Sequence, residues 1–219
     1  MNKKGFTLIE LMVSMFVAMI VFGGVYTSFQ NQKILFLRQE MIVKLNRDKR
    51  ATFAILQQYI NGAGMHSDGC SGIDSCGGVV AITNSGSGDA IIGERIVVSA
   101  DKDLNMAITS NSNIESSEIV TFIVGENSDH KKILYLCPGN VTAVNRGVCS
   151  FLLDNITVFD VQGCDIDNNC SFSPADYDSI SAINITLNAK TDNDNLLGEV
   201  ISTTEPIVTN IVLINKMIE

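Results

Sequence analysis

Tryptophan is absent from this 219-residue chain, histidine occurs twice, and charged residues make up only 18 % of it. The chain has no His-Glu-x-x-His, no Gly-x-Ser-x-Gly and no glycine loop that opens a helix to cradle phosphate. His66 falls after an expected long helix and His130 between polar turn residues, so both read as surface histidines. No Cys-x-x-Cys occurs, which removes support for zinc ribbons and thioredoxin-like redox chemistry. Nothing here asks for catalysis or for an organic cofactor.

Clustered positive charge is also scarce. Up to Asn61 there are eight Lys or Arg and three acidic residues; from Gly62 onward there are seven basic and 21 acidic residues, a balance of −14. DNA contact requires clustered Lys and Arg that displace counterions, so so acidic a region argues against a phosphate-binding groove. Lys44, Arg47, Lys49 and Arg50 form the only candidate basic patch, and they are expected to be a solvated helix face.

What is present is one long apolar run. From Leu11 to Gln32 there is no charged side chain, and at about 1.5 Å of rise per residue that length spans roughly the 30 Å of a bilayer core. Lys3 and Lys4 precede it without an acidic counterweight, which orients the N-terminus to the cytoplasm and the remaining chain outward. An ordinary signal peptide would end in a small-x-small site after a shorter core, and none is evident. Glu10 is out of place at the head of such a run. A carboxylate in lipid costs a few kcal/mol, so it should meet a positive partner supplied by another chain, such as an amino terminus.

Lys4-Gly5-Phe6-Thr7-Leu8-Ile9-Glu10-Leu11 resembles the prepilin signal of type IV pilins and type II secretion pseudopilins. The resemblance implies cleavage between Gly5 and Phe6 by a prepilin peptidase, N-methylation of Phe6, and pairing of Glu10 with the amino terminus of a neighbouring subunit. It also implies an inner-membrane assembly platform as partner, and a single pass in the bacterial inner membrane, head in the periplasm, before incorporation into a pilus or pseudopilus. Further on, Asp154 to Val161, an acidic loop, Ile180 to Leu187 and the closing run from Ile207 are similar to the layout of PilW-type minor pilins and J-type minor pseudopilins. That likeness implies a low-abundance subunit that helps initiate or cap a filament, with a pilus-tip adhesin as an alternative role.

The expected fold class is α+β and pilin-like: one long N-terminal helix packed on an antiparallel β-sheet head with disulfide-tied loops. Ile34, Leu37, Met41, Leu45, Phe53, Leu56 and Ile60 recur at helical spacing, broken near Asp48 and Lys49, so a helix is expected from Phe6 to about Ile60. Asn61-Gly62-Ala63-Gly64 supplies its stop, and Gly23-Gly24 a place where it could soften. The expected divisions are a leader at 1–5, a membrane and assembly half at 6–29, an amphipathic half at 30–61 and a head at 62–219. Gly69 to Gly88 reads as loop around the apolar run Val79 to Ile82. Strands are expected at Ile91–Val98, Ile119–Val124, Ile133–Cys137, Phe151–Val161, Ile180–Leu187 and Ile207–Ile214, with Ile183, Ile185 and Leu187 facing inward.

Cys70, Cys76, Cys137, Cys149, Cys164 and Cys170 all follow the apolar run, and an even count in an extracytoplasmic region reads as disulfides. Their spacing favours the local pairs 70–76, 137–149 and 164–170, out of fifteen possible connectivities. Asp165-x-Asp167-x-Asn169, with Asp176 at the twelfth position, offers oxygen ligands as a calcium loop does, although Cys170 stands where the tight turn wants Gly. Asp101-x-Asp103-x-Asn105 repeats the opening without an acidic closure. Turns use Asp and Asn for their own purposes, so the bland reading of both is a turn.

Overall fold

A single helix, α1 (Leu8–Gly62), dominates the first quarter of the chain. The computed structural model describes residues 7–63, 78–83, 89–99, 109–110, 113–114, 119–167, 169–171, 180–191 and 207–212. The Thr7 carbonyl accepts the first turn's amides, from Glu10 at 3.1 Å and Leu11 at 3.3 Å, as a residue flanking a helix start does. The helix continues through Gly23 and Gly24 and ends two residues beyond the expected Ile60, where the Ala63 amide bonds the Ile60 carbonyl at 3.0 Å.

The chain divides into two compact units, Met1–Val43 and Lys44–Glu219, and the last part of α1 belongs to the second. There Leu45, Lys49, Thr52, Phe53, Leu56 and Ile60 are buried, at steps of three and four that keep them on one face. Leu56 and Ile60 are fully covered, and burial of a side chain of that size contributes about 1.5–3 kcal/mol.

Two antiparallel sheets meet this face. The first is ordered β1 (Gly78–Thr83), β2 (Arg95–Ser99), β5 (Ile119–Glu126), β6 (Lys132–Pro138), β7 (Ser150–Leu153). The second is ordered β11 (Ile207–Val212), β10 (Ala182–Ala189), β8 (Ile156–Cys164), β9 (Cys170–Ser171). A small hairpin pairs β3 (Thr109–Ser110) with β4 (Asn113–Ile114). One core joins Phe53, Leu56 and Ile60 of the helix to Phe122 and Leu134 of the first sheet and to Phe159, Ile183 and Ile185 of the second. On β10 the expected alternation is present: Ile183, Ile185 and Leu187 are buried while Asn184, Thr186 and Asn188 are half-buried.

Strands β5 and β6 are apolar on both faces. Phe122, Val124 and Leu134 enter the main core; Ile123, Ile133, Tyr135 and Cys137 form a second cluster, covered by Val141, Val144 and Cys149 of the following loop. The Cys137–Cys149 disulfide closes that loop, and Cys164–Cys170 closes another at the end of β8. Cys70 and Cys76 lie outside the described residues.

Several expected boundaries move. Val79 to Ile82, read as an apolar run within a loop, is part of the edge strand β1, because pairing with β2 buries Val79 and Ile82. The run expected from Ile91 begins only at Arg95: Ile91, Ile92 and Gly93 form a turn, closed by a 2.7 Å bond from the Ile91 amide to Glu94 Oε2. Phe151–Val161 is not one strand but two, in different sheets. Asn155, at φ 49°, breaks it in the left-handed region that Asn tolerates, and its carbonyl accepts the Lys190 amide at 3.0 Å.

Candidate functional site: the N-terminal apolar helix

Every residue of α1 from Leu8 to Phe29 exposes its side chain, and this part of the helix is long and apolar enough to cross a membrane. Its two hydroxyls of note are satisfied within the helix: Ser14 Oγ donates to the Leu11 carbonyl and Thr27 Oγ1 to the Gly24 carbonyl, each at 2.9 Å. Such local bonds remove the cost of a bare hydroxyl in hydrocarbon. Glu10 stands in the first turn, exposed, and its carboxylate has no hydrogen bond or ion pair among the described residues. A carboxylate at a helix start is favoured by the helix dipole, but in lipid that interaction alone does not offset desolvation. Gly5 and Phe6 lie outside the described residues.

Residues 1–26 match the family described as Prokaryotic N-terminal methylation motif. The chain carries the prepilin-type signal of type IV pilins and pseudopilins. A search of curated proteins finds no match to this chain. Its long apolar helix, antiparallel sheets and disulfide-tied loops make a pilin-like α+β layout.

The other sites expected from sequence fare differently. Of the basic set, Lys44, Arg47 and Arg50 are exposed, and Arg47 pairs with Asp48 at 3.4 Å. Lys49 is buried, which corrects its place on a solvated face: it occupies the helix stripe between Leu45 and Thr52, and its Nζ donates to Asn188 Oδ1 at 3.4 Å. Burial pushes the Lys49 ammonium below the ordinary lysine range. His130 is exposed, at φ 58°, with Nδ1 against the Glu126 carboxylate; His66 lies outside the described residues.

In the acidic loop, Asp165 Oδ1 accepts the amides of Asp167 (2.9 Å) and Asn169 (2.8 Å), and Oδ2 accepts Asn169 Nδ2 (3.0 Å). Both oxygens therefore cap the turn that the Cys164–Cys170 disulfide closes. The Asn169 side chain and then its amide hold the Asp165 carboxyl below the usual carboxylate range; desolvation opposes them, and the Asp167 amide adds a lesser lowering. Among the described residues no three His, Cys, Asp or Glu side chains gather as a metal site. Asp176, Asp101, Asp103 and Asn105 lie outside those residues.

Sequence reasoning passed over two features. A groove of about 390 Å³ runs between Lys44, Ala51 and Ile55 of α1 and Phe151–Asp154 at the edge strand β7. The second is an acid-free stretch leading into β7, which a scan of charge along the chain would have found.

Proposed function

We propose that this chain is a minor type IV pilin, a structural subunit that helps to initiate or cap an extracytoplasmic pilus. The observation that carries the pilin reading is the methylation motif at residues 1–26, which overlaps the membrane-length apolar part of α1 and holds the one carboxylate of that part, Glu10. In this reading residues 1–5 are a leader removed by prepilin peptidase, Phe6 becomes the methylated amino terminus, and residues 6–29 hold the subunit in the inner membrane and then in the filament. Glu10 neutralises the amino terminus of a neighbour, and the part from residue 62 onward is the periplasmic head. The layout of the closing strands supports the minor subtype over a repeating shaft subunit. A J-type minor pseudopilin of a type II secretion system would use the same N-terminal chemistry.

Mass spectrometry of the membrane-extracted protein tests the reading. A chain that starts at Phe6 and is one methyl heavier than the bare sequence is expected, and Gly5→Val should leave an unprocessed, unassembled precursor. An intact Met1 start in a peptidase-competent host would overturn it.

A further inference from the structure

The two described disulfides differ in how open they are to an incoming thiol. Cys137 is wholly buried and Cys149 half-buried, and both sit in the second cluster with Val141 and Val144. Their loop is seated by Thr121 Oγ1, which donates to the Gly139 carbonyl at 2.6 Å, and by Arg95 Nη1, which donates to the Val141 carbonyl at 2.7 Å. A thiolate must reach one sulfur from the side opposite the other, so this bridge is closed to exchange unless the loop lifts. Cys164–Cys170 is lopsided instead: Cys164 is wholly buried, whereas Cys170 is exposed. Ile166, the one large apolar side chain of that ring, is 81 % exposed and packs over little.

Bonds other than the disulfide hold the ring in shape. The Asp165 carboxylate accepts three N–H groups from Asp167 and Asn169, and the Asp165 amide bonds the Asn169 carbonyl at 3.1 Å. Cys164 and Cys170 face each other as a pair in β8 and β9, with Gly163 and Ser171 the next pair. Ser181 fixes the far side: its amide, at 2.9 Å, and its Oγ, at 3.2 Å, both donate to the Cys164 carbonyl. Two cysteines held in this way stay within reach when their bond is open, so each meets the other at a high effective concentration.

We propose that Cys170 Sγ is a site of reversible mixed-disulfide formation with small thiols of low negative charge, and that Cys164 is the thiol that resolves the adduct. The thiolate sulfur bonds to Cys170 Sγ, the bond to Cys164 breaks, and its electron pair leaves on Cys164 Sγ, which takes up a proton. The incoming thiol is oxidised and Cys164 reduced, so no further oxidant enters. Burial makes Cys164 a reluctant leaving thiolate, which slows the forward step. In the return step Cys164 attacks Cys170 Sγ and expels the small thiol, and the preserved turn favours it. Charge sets the preference among thiols. Between Gly147 and Ala189 the sequence has six Asp and no Lys, Arg or His, and Asp165 and Asp167 belong to the ring itself. An anionic thiol nearing Cys170 therefore meets like charge within a Debye length.

The test treats the full-length oxidised protein, in neutral detergent micelles, with cysteamine, mercaptoethanol or mercaptoethanesulfonate at equal thiolate concentration. The reaction is quenched in acid, free thiols are capped with N-ethylmaleimide under denaturing conditions, and peptides are mapped by mass spectrometry. While circular dichroism is still native, the added thiol should sit on Cys170 and maleimide on Cys164, with Cys137 and Cys149 still bonded. Removal of the thiol at neutral pH should release the adduct and restore the disulfide. The ratio of cysteamine to mercaptoethanesulfonate rates should fall about threefold in Asp167→Asn and likewise in 0.5 M NaCl, as screening of a nearby charge predicts. An adduct on Cys164, on Cys137 or Cys149 at equal or earlier times, or none before the protein unfolds, would overturn the site. A ratio unchanged both in the variant and in high salt would overturn its charge preference. Neither result bears on cleavage at Gly5, so the pilin reading stands or falls separately.

Discussion

Lys49 of the helix donates to Asn188 of β10 at 3.4 Å from a position where only 2 % of the residue meets solvent. Leu45, Thr52, Phe53 and Leu56 surround it in sequence on the same buried face, so an amine takes the place of a core side chain. Lys49 thereby ties the helix to a strand 139 residues away, and Thr52 Oγ1 adds a second polar link from the same face to the Leu152 carbonyl at 3.4 Å.

Stability should therefore depend on Lys49 ionisation. Burial lowers its folded pKa below the unfolded value near 10.4. Below the folded pKa both states hold the proton and the desolvation penalty is fully present. As pH rises through the folded pKa toward the unfolded one, the native state sheds its proton first, and stability rises. Lys49→Met should remove that alkaline rise. At neutral pH the variant should lie within about 1 kcal/mol of wild type or above it, since an apolar isostere needs no desolvation. Urea melts at several pH values read this, and a persistent rise in Lys49→Met would assign the effect to another group.

Gly125 of β5 faces the disulfide loop at close range. A Cβ there would stand 2.7 Å from Val144 Cγ2 and 3.1 Å from Tyr135 Cε2. Gly125→Ala should cost about 1–3 kcal/mol of stability by overpacking, and adding Val144→Ala should recover part of it. Denaturant unfolding of the two single variants and the double variant measures the coupling; additive losses would mean the loop is not seated on Gly125.

Asp165 should act as a turn cap. Its lowered pKa means that its contribution is present above the unfolded value near 3.9 and is lost as pH falls through the folded one. Asp165→Ala should abolish that acid-side slope. With both carboxylate oxygens already accepting N–H groups, the oxidised protein should melt at the same temperature in millimolar calcium and in chelator. A higher melting temperature in calcium would show that a cation displaces these bonds.

Glu10→Val should insert into the membrane at least as well as wild type, because an intramembrane charge is gone, yet fail to enter filaments. Fractionation and filament shearing separate the two outcomes. The head's melting temperature should not change. Normal incorporation of the variant would remove the need for a charged partner.

The N-terminal site was legible without coordinates because its physics is local. Each residue from Leu11 to Gln32 is judged against lipid one at a time, and Glu10 stands out in that comparison wherever the rest of the chain goes. The helix face and the Ile183, Ile185, Leu187 alternation were legible for a related reason, since periods of 3.6 and 2 follow from backbone geometry. Tertiary structure alone decided what depends on distant partners. Val79 and Ile82 became a strand only because β2 was there to pair with them, and Phe151 to Val161 divided at Asn155 because its two halves serve different sheets. Lys49 is the sharpest case: its charge marks it for solvent, and its burial follows only when Asn188 and two sheets close over one helix face, an arrangement that no local window contains.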